Sequence, residues 1–181
     1  MTSAGSTPDS DPACAVAHGA ATVAGDGRRL VAVFDSPVAA HLLHFARDCG
    51  FGTALLEPRG VDSATHAVSY ADDVLSTADP DRFGALTDVV VTDHDRPELG
   101  EVLRDVLGAQ PRWIGVMGSP RHPAPHRPAL RALGVPDDMV ERVHRPIGLN
   151  IGSRTPAEIA LATVAGLVAD RRGRPGGFAF D

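Results

Sequence analysis

From Arg29 onward, short apolar runs alternate with longer stretches of helical period. Leu30-Val31-Ala32-Val33-Phe34 ends at Asp35-Ser36-Pro37 and reads as a strand buried on both faces. Pro37 suits the first position of a helix capped by Ser36 or Asp35. In that helix Val38, Leu42, Phe45, Ala46 and Cys49 form an apolar stripe, and Gly50 stops it. Thr53–Leu56 is a second strand, ending at Glu57-Pro58-Arg59. His66–Tyr70 reads as a third, weaker strand. Asp88-Val89-Val90-Val91-Thr92 is the clearest strand signal in the chain. Pro97–Leu107 reads as a helix ended by Gly108, and Trp113–Met117 as a strand. Ala129–Leu133 and Pro136–Val143 read as short helices parted by Gly134. Thr155-Pro156-Ala157-Glu158 carries the capping box of a last helix. That helix is apolar nearly all round, so it is expected to be covered on every side.

Apolar strands alternating with helices predict a single α/β domain over residues 28–172, a doubly wound, mainly parallel, Rossmann-like sheet. Residues 1–27, rich in Ser, Ala, Gly, Asp and Pro, are expected to form a disordered or irregular tail, with Cys14–Val23 as an irregular edge. Residues 173–181 are expected to be flexible.

Composition removes several classes of function. The chain has 181 residues and a net charge of −6, which argues against a nucleic-acid binder built on a broad basic face. No apolar run is long enough to span a membrane. All 17 basic residues are Arg, so neither a Schiff-base lysine nor a P-loop lysine is available. Cys14 and Cys49 match no metal or redox spacing; Cys49 is expected to be a small buried hydrophobe. No secretory signal pattern is present, which makes the cytoplasm the default compartment. His41 and His44 share a helix face in a structural role. His122 and His126 fall in a Pro-rich loop, Pro120–Pro128, read as a mobile lid or a partner surface.

In a wound sheet, ligands sit beyond the carboxyl ends of the strands. Polar residues cluster there: Ser36 after the first run, Glu57 after the second, Asp93 and His94 after the Val run, and Gly118, Ser119 and Arg121 after the fifth. The first turn departs from a dinucleotide fingerprint. Asp35 stands where the first Gly would be and repels phosphate, and Pro37 removes an amide donor. NAD(P) in the usual pose is therefore not expected, although Glu57 stands where a ribose-binding carboxylate would. The segment from Pro146 to Pro156, with Asn150, Gly152, Arg154 and Thr155, describes a tight loop whose amides and guanidinium face one point suited to an anion.

Two blocks, Trp113-Ile114-Gly115-Val116-Met117-Gly118-Ser119-Pro120-Arg121 and Arg145-Pro146-Ile147-Gly148-Leu149-Asn150-Ile151-Gly152-Ser153-Arg154-Thr155-Pro156-Ala157-Glu158, together resemble the C-terminal Rossmann domain of the XdhC/CoxI family. Val89-Val90-Val91 followed by Thr92-Asp93-His94-Asp95 is similar to a third segment of that family. These are accessory proteins of molybdenum hydroxylases such as xanthine dehydrogenase and carbon monoxide dehydrogenase. The resemblance implies a non-catalytic maturation factor that binds molybdenum cofactor (molybdopterin or its cytosine dinucleotide) and supports its sulfuration or insertion. It places cofactor-binding roles on His94, Gly118, Ser119, Arg121, Gly152, Arg154 and Thr155. The implied partners are a molybdenum hydroxylase and a separate protein of the family's N-terminal type, with the chain itself a homodimer. Three departures stand out. The family's Gly-rich first turn has become Asp35-Ser36-Pro37-Val38, Asn150 replaces an Asp, and the family's cysteine-bearing N-terminal domain is not seen. Two other readings compete: an NAD(P)-binding oxidoreductase or sensor with an altered cofactor pose, and a structural dimerisation module.

Overall fold

The computed structural model describes residues 12–19, 26–62, 65–119 and 121–177. Within them the chain runs α1 (Pro12–Ala17), β1 (Arg29–Val33), α2 (Pro37–Asp48), β2 (Gly52–Leu56), β3 (Asp73–Leu75), β4 (Thr87–Val91), α3 (Leu99–Gly108), β5 (Trp113–Val116), α4 (His126–Ala132), α5 (Asp137–Val140), β6 (Val143–His144) and α6 (Pro156–Arg171). The strands form one parallel sheet in the order β3-β2-β1-β4-β5-β6, so the winding reverses between β1 and β4. This is the Rossmann-like α/β architecture that the sequence predicts.

The middle strands read as continuous apolar runs because both of their faces are covered. Val31, Val33, Val89 and Val91 pack with Leu103 and Val106 of α3 and Leu130 of α4. Leu30, Ala32 and Val90 face the opposite way, onto Leu42 and Leu43 of α2 and Val164 and Leu167 of α6. The edge strands are short, three residues in β3 and two in β6, which limits unwanted pairing at the edges. At the amino ends of the strands, fully buried Asp88 pairs with Arg112 and Arg28. Burial pushes its carboxyl up, against the pull of Arg112 and Arg28. Arg112 also holds Asp170 at 2.9 Å, tying the end of α6 to the sheet.

Several local expectations are corrected. His66–Tyr70 is a 3-10 helix, not a strand, and the third strand is Asp73–Leu75. What places that strand is remote: the Asp72 carboxylate accepts from the amide and hydroxyl of Thr53, and Arg29 bonds Asp73 at 2.6 Å. The stretch read as one helix, Pro136–Val143, divides into the four-residue α5 and the edge strand β6. Cys49 is exposed, because it lies past the last turn of α2, where its carbonyl accepts from Arg171. The stop at Gly50 is as expected, with φ of +80°. α6 is covered on one side and leaves Leu161 52% exposed. His126 starts α4 and is buried, so it does not lie on a loop surface. Pro120 lies outside the described residues. Within the N-terminal segment, Pro12–Ala17 is helical; residues 1–11 and 20–25, like 178–181, lie outside the described residues.

Candidate functional site

The carboxyl edge of the sheet is shaped by how each strand leaves it. After β1, Phe34 adopts a φ of +70°, a costly conformation for a large side chain. The Thr92 hydroxyl holds it there, bonding the carbonyl of Phe34 at 2.8 Å. After β5, the Met117 amide donates to the Val91 carbonyl, and Gly118 then turns the chain at φ +152°. A Cβ at this position would collide with the guanidinium of Arg145. Arg145 in turn donates to the carbonyls of Ser119 (3.3 Å), His122 (3.2 Å) and Pro123 (2.6 Å). One side chain from beyond β6 thus clamps the turn that carries Ser119 and Arg121.

The second loop, residues 146–155, is seated on α6. Gly148, at φ +84°, lies so close to the backbone of Ala162 and Thr163 that a Cβ would crowd it, and the Leu149 amide donates to the Ala162 carbonyl. The predicted capping box is present: the Thr155 hydroxyl accepts from the Glu158 amide. The Glu158 carboxylate accepts from the amides of Arg154 (2.6 Å) and Thr155 (3.0 Å), which hold its carboxyl below the ordinary range. An internal carboxylate therefore occupies the amides that the sequence offered to an anion. Among the described residues the Arg154 guanidinium has no carboxylate partner.

The two loops enclose a cleft of about 850 Å³. Arg121, Arg154, Ser119, His94 and Asn150 line it, with Gly118 and Gly152 at the turns. Met117, Ile147, Leu149 and Ile159 make its apolar walls. Among the described residues no Asp or Glu lines it, in a chain that carries 23 of them. Among the described residues, neither Arg121 nor Arg154 pairs with a carboxylate, whereas Arg28, Arg29, Arg47, Arg96, Arg112 and Arg127 all do. Unpaired guanidinium groups beside a hydroxyl and apolar walls suit a phosphorylated heterocycle.

The XdhC Rossmann domain family matches residues 30–167. The chain belongs to that family. A crystal structure of a xanthine dehydrogenase from Bacillus halodurans aligns with a TM-score of 0.63 and 26% identity, over 84% of this chain and 45% of that one. The uncharacterized protein YqeB of Escherichia coli (strain K12) is 31% identical over 98 residues, which is 54% of this chain and 17% of that protein. The chain thus spans less than half the length of each.

Against this XdhC-type frame, the sequence-derived candidates divide. His94, Gly118, Ser119, Arg121, Asn150, Gly152 and Arg154 come together around the cleft. Ser36, Glu57, Asp93 and Thr155 do not line it. Ser36 caps α2 by accepting from the Ala39 amide and bonds Thr92 through its hydroxyl. Asp93 closes a turn on the Asp95 amide, and Thr155 is used by its capping box. Glu57 is buried, and both its oxygens are engaged. Arg96 bonds them at 2.7 and 3.3 Å, and the amides of Asp35 and Arg59 complete the set. Sequence reasoning missed Arg96 and Arg145. Each stands directly before a proline, at the start of a segment already read as structured, and that adjacency is the one signal that could have marked them. Among the described residues, no group of three or more His, Cys, Asp or Glu is placed to hold a metal, and no helix is long and apolar enough to cross a membrane.

Proposed function

We propose that this XdhC-type domain serves a xanthine dehydrogenase-type molybdenum hydroxylase as an accessory factor, and that its cleft holds molybdenum cofactor by the phosphate. The observation that carries this reading is that Arg121 and Arg154, from two distant loops, line one cleft whose described lining holds no carboxylate. The donor set fits the group. Two guanidinium forks and the Ser119 hydroxyl match a phosphate, while Ile147, Leu149 and Ile159 offer an apolar bed for a planar bicyclic ring. When bound, the cofactor brings redox-active molybdenum, whose chemistry belongs to the enzyme that receives it. This chain's residues bind, orient and shield.

Two measurements test the proposal. Purified protein is incubated with molybdopterin released from a molybdenum enzyme, desalted, and the retained pterin is read by fluorescence after oxidation. The expected result is close to one pterin per chain, lost when Arg121 and Arg154 are both changed to Ala. No retention by the unmodified protein overturns the reading. In cells, loss of the gene should lower the molybdenum content of the hydroxylase, and unchanged loading would speak against the accessory role.

A further inference from the structure

The reversal between β1 and β4 gives a sheet of this kind two neighbouring seats at its carboxyl edge, one for each half of a dinucleotide. In this chain the halves differ. The cleft draws on the ends of β4 and β5, the 146–154 loop and α6, with Val38 of α2 at its margin. Among the described residues none from the ends of β2 or β3 lines it. Over the ends of β1 and β2 lies Arg96. It reaches back from the segment after β4, stacks on the Phe34 ring at 4.7 Å and grips Glu57 through two nitrogens. Glu98 holds the same guanidinium at 3.0 Å, and Arg59 holds Glu98 at 2.7 Å.

The seat for a bridging pyrophosphate is also poorer in donors than a glycine-rich turn. Pro37 has no amide to offer, the Ala39 amide is taken by Ser36, and Asp35 carries a buried carboxylate oxygen with no donor facing it. A second phosphate there would lack the amides of residues 37 and 39 and would face the Asp35 carboxyl group. Glu57 has no lone pair left for ribose hydroxyls, since Arg96 and two backbone amides already fill its oxygens.

We infer that the cleft selects a monophosphorylated heterocycle and rejects its dinucleotide form, because the Arg96–Glu57 pair fills the half of the sheet edge that a second nucleotide needs. This rests on the reading of the cleft as an anion site, and it narrows that reading to one class of ligand.

The full chain is titrated calorimetrically with guanosine monophosphate, a bicyclic monophosphate, and with diguanosine pyrophosphate, which carries the same head with a second nucleoside attached. The monophosphate should bind at least tenfold more tightly. Equal binding within threefold overturns the inference and leaves the anion site standing. Binding of neither compound removes the anion site, and the inference falls with it. In the variant Glu57→Gln/Arg96→Ala, which leaves the Asp35–Pro37 turn in place, the preference should shrink at least threefold; an undiminished preference overturns the inference. A second measurement requires no variant. On saturation with guanosine monophosphate, the side-chain Nε–H resonances of Arg121 and Arg154 should shift and that of Arg96 should not. A shift at Arg96 as large as theirs contradicts the inference.

Discussion

Two ends of the same sheet edge carry arginines in opposite circumstances. Beyond β1 and β2, Arg96 is nearly buried, with 15% of its side chain exposed, and lies between Glu57 and Glu98. Burial works against its charge, but the hydrogen bonds it donates to these carboxylates raise its pKa. Beyond β4 and β5, Arg121 and Arg154 line an open cleft, and among the described residues neither guanidinium is paired with a carboxylate. The side chain is identical in all three cases, and its partners decide its role. A guanidinium already paired inside the protein supports the fold, whereas one held out unpaired is available to a guest.

The comparison breaks first at Glu57. Glu57→Ala leaves Arg96 partly buried beside a cavity, and should lower unfolding stability by about 3 kcal/mol in urea denaturation. A loss under roughly 1 kcal/mol would mean that this end is no tighter than an ordinary surface pair.

Acid sharpens the contrast. Burial, together with the nearby charges of Arg127 and Arg145, holds His126 down to about 4 from the usual 6.5, and neither of its ring nitrogens has a partner. As pH falls, the unfolded chain takes up the proton first. Stability is therefore full above pH 6.5 and declines between 6.5 and 4, by roughly 3 kcal/mol. Glu98 behaves differently. Burial opposes its charge, but donors from Arg59, its own backbone and Arg96 hold it at about 2 from an ordinary 4.5. Its contribution persists above pH 4.5 and fades as pH falls toward 2. Unfolding midpoints across this range should thus lose stability first at pH 6.5 to 4, and His126→Leu should flatten that segment alone.

Smaller effects separate binding from folding. Arg121→Ala and Arg154→Ala should each weaken guanosine monophosphate binding roughly tenfold, about 1.4 kcal/mol, with unfolding midpoints changed by less than about 0.5 kcal/mol. Matching losses of stability would place these residues with Arg96. Thr155→Ala should do the reverse, costing about 1 kcal/mol of stability through its capping box with little change in affinity.

The sequence carried the parts of the fold that depend on local pattern. β1, β2, β4 and β5 announce themselves as apolar runs because both faces are buried, and α6 announces its start through Thr155, Pro156 and Glu158. β3 and β6 were not legible: two or three residues hold no period, and remote partners such as Thr53 for Asp72 position them. The same limit divides the site. Arg121 and Arg154 stand in motifs that mark turns, so their meeting could be anticipated. Glu57 and Ser36 also stand at strand ends, and nothing in their neighbourhood reveals that Arg96 and Thr92 engage them. Polarity at a strand end is local information; whether that polarity is already satisfied is not.

The carboxylate of Glu158 sits on the amides that open α6, and this bears on how tightly the cleft could hold an anion. Rigid main-chain donors grip an anion with little reorganisation, while two long, exposed side chains must be ordered each time they close on one. For the anion proposed above, a cradle of that kind favours quick exchange over long residence.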